Sequence, residues 1–473
     1  MMLHRRGFLA GGLGSIIAAG IAPAAGLAAA ASPKALIDDV ATRTFRYFWR
    51  TTDARTGLAP DRYPSPAPAS VAAVGFALTA YPAGVERGLI TRAEARRRVK
   101  ATLRFLHDAP QGPAARGMAG YKGFYYHFLD MATGARAGDS ELSTVDTALL
   151  LCGVLFCAGY FDAAHPDERT IRALAEAIYA RVDWRWAQPR PPSIVLGWTP
   201  ENGFLPYDWR GYCEAMLVYL LALGAPTHAV GRDAWDVWLS GYKHNWGVYY
   251  GEEHLGFASL FGHFYAQTWV DFHGIQDSFM RAHDLDYFEN TRRAIRAQRN
   301  YAIANPLRWR HYGADLWGIS ACDGPTHAEL TYDGQKRLFR RYWARGAAGP
   351  WAFDDGTLTP AATLAALAFT PDLAMPAIEA QHRRYGADIY GAYGFVDAFN
   401  PSFDFEVPLQ AGRRVAGVGW VDCDYIGIDQ GLIMAMLENH RSELIWRVMR
   451  GNAHLRRGLR RAGFEGGWLG RTA

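Results

Sequence analysis

The sequence predicts an all-α fold in which helical hairpins wind into a double ring. Three observations predict it. Apolar residues recur at helical spacing along most of the chain after residue 33. Segments that are apolar nearly all round alternate with amphipathic ones, as a buried and an exposed layer of helices would. No Gly/Ser linker, low-complexity tract or long charge run follows residue 33, so residues 32–473 read as one domain. About a dozen helices over roughly 440 residues suit antiparallel hairpins closed on themselves.

In chain order, residues 35–52 place Leu36, Val40, Phe45 and Phe48 at helical steps. A second helix covers 70–81. Thr91 and Glu94 form a capping box that opens a helix through residue 106. Residues 142–160 are apolar almost all round and predict a buried helix, whereas 167–182 are amphipathic. Asp208 can cap a helix that runs into 217–223 and ends at Gly224 and Pro226. Helices over 260–281 and 284–304 follow. Thr359 caps the next, with Pro360 at its first position. Segments 375–385, 425–438 and 442–461 complete the set, the last broken near Gly451. Loops rich in Gly, Pro and aromatics join these helices, and strand-like pieces in 386–420 predict a small sheet or hairpin.

Composition narrows the function. Of 473 residues, 20% are charged and the formal net charge is +4. The one basic cluster, Arg96-Arg97-Arg98-Val99-Lys100, reads as a solvated helix face, so no nucleic-acid partner is expected. Aromatics reach 14%, with 16 Trp and 24 Tyr, and flat rings without a basic field suit sugars better than bases. The five Cys contain no CxxC pair and are odd in number, which fits neither a disulfide framework nor a zinc cluster. The fifteen His are scattered, and no His-rich metal spacing stands out.

Arg5-Arg6-Gly7-Phe8-Leu9 precedes a weakly apolar Gly/Ala stretch and the small residues Ala28-Ala29-Ala30-Ala31. This reads as a twin-arginine export signal over 1–31, ahead of a periplasmic mature chain. The apolar run is short and broken by Pro23, so no stable membrane insertion is expected after cleavage. The mature chain is expected to act as a monomer on an oligo- or polysaccharide.

The chemistry concentrates in acids beside aromatic rings. Glu214 lies in Tyr207-Asp-Trp-Arg-Gly-Tyr-Cys-Glu-Ala-Met216, crowded by Trp209, Tyr212 and Met216. Poor solvation should raise its pKa and suit it to donate a proton, although a Glu paired with an Arg at a helix end would look the same. Asp139, Glu141 and Asp146 cluster at the start of 142–160. One of them can serve the helix dipole, but Asp146 sits inside an apolar run and needs a partner or a role. Asp397 lies in Tyr393-Gly-Phe-Val-Asp-Ala-Phe-Asn400, either a functional acid or a turn residue. Asp429 reads as a helix-orienting residue. Tyr125, Tyr126, Trp198, Trp209 and Trp269 are candidate sugar platforms, and each could equally be core. His127, His263 and His273 have aromatic neighbours and could bond a sugar or fill a wall. Acids on separate loops suit glycoside hydrolysis by inversion, in which an acid and a base stand about 6.5–9.5 Å apart with water between them.

Several segments together resemble a known family, the bacterial glycoamylase-like proteins related to glycoside hydrolase family 144. They include Thr44-Phe-Arg-Tyr-Phe-Trp49, Thr56-Gly-Leu-Ala-Pro-Asp-Arg62, Gly123-Phe-Tyr-Tyr-His-Phe-Leu-Asp130, Ser140-Glu-Leu-Ser-Thr-Val-Asp-Thr147, Gly211-Tyr-Cys-Glu-Ala215, Trp269-Val-Asp-Phe-His-Gly-Ile-Gln-Asp277 and Gly427-Ile-Asp-Gln430. The resemblance implies an (α/α)6 barrel without a metal cofactor that hydrolyses β-1,2-glucan by inversion, endo-acting in the best-known members. It implies Glu214 as general acid, Asp397 or Asp146 as general base, and Glu141 in the cleft. Asp139, His273 and Asp277 join the expected sugar contacts. The chain carries His273 and Gln276 where the family carries Arg, two positive charges fewer at an expected sugar subsite.

Overall fold

The computed structural model describes residues 32–470, so the export signal expected over 1–31 lies outside the described residues. The chain is helix-rich, with 45% of the described residues helical and 15% in strands. The strands are short and pair in twos and threes within the loops. The sheet expected in 386–420 is there: Gly419–Val421 pairs with Phe399–Asn400 on one side and Arg413–Val415 on the other.

The helices are of two kinds. Val71–Glu86, Thr144–Tyr160, Met216–Gly224 and Gly427–Ser442 are buried around most of their circumference. Pro33–Thr51, Arg92–Asp108, Pro166–Ala180 and Tyr287–Ala304 bury one stripe and leave the other in solvent. Val71–Glu86 packs on both Thr144–Tyr160 and Gly427–Ser442. Its crossing with Thr144–Tyr160 is backbone on backbone. A Cβ on Gly153 would lie 2.1 Å from the Gly75 carbonyl oxygen, and one on Gly75 would lie 2.5 Å from that of Leu149. Glycine is required where two helices approach so closely.

The helix starts follow local chemistry. Thr91 and Glu94 make the expected reciprocal capping box ahead of Arg92–Asp108. Ser70 and Ser143 cap the two buried helices that cross.

Two expectations need correction, and one element is new. The single helix over 260–281 is two, Phe261–Trp269 and Ser278–Ala282. Between them Asp271 accepts from the His273 amide at 3.0 Å, and Asp277 caps the second helix through the Met280 amide at 2.9 Å. Such short side-chain-to-backbone bonds compete with helix. Asp208 does not cap a helix. Its carboxylate pairs with Arg190 at 2.6 Å, its backbone bridges to Val195, and the Trp209 amide donates to Ile194 at 2.8 Å. With Gly211 at φ 78° the chain stays irregular until Met216. The short helix Asp233–Leu239 was not expected.

Candidate active site

The irregular stretch before Met216 forms part of the wall of a cavity of about 650 Å³. Its shape is fixed from behind. The Tyr219 hydroxyl donates to the Trp209 carbonyl at 2.7 Å, and the Gly211 amide donates to Trp238 at 3.0 Å. The Trp209 indole donates to Thr144 at 2.9 Å. Tyr212 is held through His263. The His263 Nε2 lies 3.1 Å from the Phe257 carbonyl and must donate to it, which leaves Nδ1 to accept from the Tyr212 hydroxyl at 3.1 Å. Burial, and then the neighbouring His254, pushes the His263 pKa down to about 3, so that ring is a neutral strut. Glu214 sits in the turn directly before the buried helix Met216–Gly224, only 7% exposed, and lines the cavity.

Asp146 and His127 line the same cavity. Asp146 stands in the first turn of Thr144–Tyr160. The Ser143 hydroxyl accepts from its amide at 3.2 Å and donates to its Oδ2 at 2.5 Å. His127 connects the acids of this region. Its Nδ1 is 3.0 Å from Glu141 Oε1 and its Nε2 is 3.7 Å from Asp146 Oδ1. The ring stacks on Phe128 at 3.9 Å. Ligand-type atoms of His127, Glu141 and Asp146 lie within 4.8 Å of one another, a donor set with the composition of a metal site, and the same holds for Asp323, Asp397 and Asp422.

Asp397 does not line the cavity. It is 2% exposed, and its Oδ2 accepts from the Asp323 amide at 2.7 Å. Burial, then the charges of Asp429, Asp323 and Asp422, hold its pKa well above the usual carboxylate range. Asp422 is raised in the same way, by burial and then by Asp323 and Asp424. Arg62 offsets part of this charge, reaching Asp323 at 2.5 Å and Asp424 at 3.5 Å. A carboxyl this deeply buried and off the wall could act on water in the cavity only through a relay.

The expected sugar contacts divide. Trp209 is on the cavity wall. Tyr125, Tyr126 and Trp269 are fully buried and are core rings, a correction to their reading as platforms. The Tyr125 hydroxyl donates to the Leu106 carbonyl at 2.7 Å, Tyr126 lies under the Arg136 guanidinium, and the Trp269 indole donates to Thr79 at 3.0 Å. Trp198 is half-buried against Tyr121 and Trp186 and does not line the cavity. His273 and Asp277 are also away from it. His273 bonds Asp271 at 2.5 Å, and Asp277 accepts from the Tyr287 hydroxyl at 2.8 Å, so both brace helices. Asp139 is exposed and off the wall, while Glu141 reaches the site through His127.

The structure adds Phe257, Phe261, Tyr265, Tyr342, Trp343 and Trp351 to the wall. The sequence signal for the last three was present: Tyr342-Trp343 and Gly349-Pro350-Trp351 are aromatics beside turn residues, as in the stretch around Glu214.

Residues 206–453 match the Glycoamylase family model, described as "Putative glucoamylase". An exo β-1,2-glucooligosaccharide sophorohydrolase (non-reducing end) from Parabacteroides distasonis is 27% identical over 458 residues, an alignment covering 90% of this chain. The chain spans 57% of the length of that relative. An endo-β-1,2-glucanase from Chitinophaga pinensis, solved with sophorotriose and glucose, is 25% identical with a TM-score of 0.78, covering 93% of this chain and 100% of that one. A β-1,2-glucanase structure from Parabacteroides distasonis is 26% identical with the same TM-score, covering 92% of this chain and 60% of that one. The family match takes in the Glu214 turn, the aromatic loop at 342–351 and the buried acids at 397–429. With more than half of its length inside the model, the chain belongs to the Glycoamylase family.

Proposed function

We propose that this chain hydrolyses β-1,2-linked glucose chains by inversion, in an (α/α)6 barrel, with Glu214 as general acid and Asp146 as general base. The observation that carries the reading is that Glu214 and Asp146, from different elements, line one cavity beside aromatic rings. Glu214 gives its proton to the departing glycosidic oxygen. Asp146 takes a proton from the attacking water, whose oxygen bonds to the anomeric carbon as the glycosidic bond breaks. Ser143 and His127 fix the Asp146 carboxylate, and the Tyr212–His263 strut fixes the turn that carries Glu214. The substrate class rests on the names of the relatives and on the aromatic-rich wall.

We read the action as endo. The Parabacteroides relative, named for releasing sophorose from the non-reducing end, favours a second reading in which this chain is exo-acting. Chromatography of early products separates the two: an endo enzyme gives a ladder of sizes, whereas an exo enzyme gives one short product from the first minutes. The chemistry itself is tested by reducing-end release from β-1,2-glucan, and an inactive wild type would sink it.

Arg5-Arg6 support export of the folded protein to the periplasm. Changing both to Lys should retain the protein in the cytoplasm on fractionation; an unchanged distribution would contradict a twin-arginine route.

A further inference from the structure

Trp351 differs from the other aromatics of the wall. It is 59% exposed, yet it lines the same cavity as Glu214. Its backbone is left-handed, with φ 58°, a conformation that a bulky side chain rarely adopts. No other described ring stacks on it. An exposed indole held in an unfavourable backbone conformation at the edge of a site calls for an explanation, because each feature alone opposes stability.

The loop that carries it is firmly held. Gly346 and Phe353 exchange both backbone hydrogen bonds, at 2.8 and 3.0 Å, closing the loop at its base. The Ala347 amide donates to the Ala258 carbonyl at 3.0 Å, tying the loop to the segment between Phe257 and Phe261. Beneath it Arg345 is wholly buried. Its Nε and Nη2 donate to both oxygens of Asp355 at 2.7 and 2.9 Å, and it also donates to the carbonyls of Cys322, Arg340 and Arg341. A fork this well satisfied makes a stiff base. Trp343, on the same wall, has a ring face taken by the Arg340 guanidinium at 3.8 Å. Trp351 has no such cover. The fold therefore presents one rigid, uncovered indole beside the cavity. The apolar face of a pyranose ring, with its C–H groups, is the ligand chemistry that stacks on such a surface.

We propose that Trp351 is the stacking platform for an outer glucosyl unit, and that it sets a preference for longer chains. This rests on the reading of the protein as a glucan hydrolase. The inner cavity holds the units next to the scissile bond, and a chain that extends past them gains the indole contact.

The test compares wild type with Trp351→Ala and Trp351→Phe on long β-1,2-glucan and on a β-1,2-linked trisaccharide or tetrasaccharide. The expected result is a rise in KM on the long glucan of about tenfold for Trp351→Ala, equivalent to ~1.4 kcal/mol, with kcat little changed. Short oligosaccharides should lose much less than the long glucan, and Trp351→Phe should recover most of the loss. Because the side chain is exposed, melting temperature should not fall. Equal KM on the long glucan, or an equal loss on both substrates, would overturn the proposal. If wild type hydrolyses neither substrate, the hydrolase reading fails by itself. Calorimetric binding of long glucan to wild type and to Trp351→Ala then decides the platform separately: weaker binding by the variant upholds it, and equal or absent binding rejects it.

Discussion

His127 Nε2 faces Asp146 Oδ1 at 3.7 Å while its Nδ1 lies 3.0 Å from Glu141 Oε1, so one buried imidazole links two acids at the edge of the cavity. His127 is therefore a positioning residue for Asp146. Replacing it with Gln should lower kcat by about tenfold with KM nearly unchanged and should alter the pH–rate profile. An unchanged profile with normal kcat would remove His127 from the account.

Asp146 and Asp397 are separated by a direct comparison. Asp146→Asn should lower kcat by about 10²- to 10⁴-fold, the usual contribution of a general base. Asp397→Asn should retain most activity, because that carboxyl is buried and does not line the cavity. Initial rates on β-1,2-glucan check both. The reverse ranking would return the base role to Asp397.

The buried acids predict a pH dependence of stability. The folded pKa values of Asp397 and Asp422 lie well above that of an unfolded Asp, about 3.9. Between the unfolded and folded values the native state binds more protons, so stability falls as pH rises through that window. Asp397→Asn keeps an acceptor for the Asp323 amide and removes one ionisation. Its melting temperature should decline less than that of wild type from pH 4 upward. Parallel declines would show that this group does not titrate abnormally.

The helix crossing at Gly75 and Gly153 predicts a core lesion. Gly153→Ala puts a methyl 2.1 Å from a backbone oxygen that cannot move alone. Overpacking of this kind costs about 1–3 kcal/mol, which urea denaturation would detect. A stability equal to wild type would mean that the two helices slide apart freely.

Much of the helical frame was legible in the sequence, because its signals are local. Thr91 and Glu94 sit three apart and cap the helix they predict, and 142–160 has an apolar period that needs no partner to be read. The failures come from contacts made at a distance. Asp208 looks like a cap until Arg190 takes its carboxylate, and Trp269 looks like a platform until Thr79 and Phe76 enclose it. Residues 260–281 read as one helix because Asp271 and Asp277 carry no mark of the turn bonds they make. Within the site, Glu214 and Asp146 stood out as acids among apolar neighbours. Asp323 did not, since only folding brings it beside Asp397 and Asp422. Trp351 carried only the general signal of an aromatic beside turn residues, and its exposure beside the cavity comes from the loop anchored by Arg345.

The central claim is that Glu214 supplies the proton to the leaving oxygen. The direct measurement is reducing-end release from β-1,2-glucan by Glu214→Gln beside wild type, with circular dichroism and melting temperature recorded for both. Gln fills the same space and keeps a hydrogen-bonding head but has no proton of suitable acidity to give. The account predicts an unchanged fold and a rate lower by at least about 10²-fold. A folded Glu214→Gln variant that turns over glucan at a rate near that of wild type would contradict it.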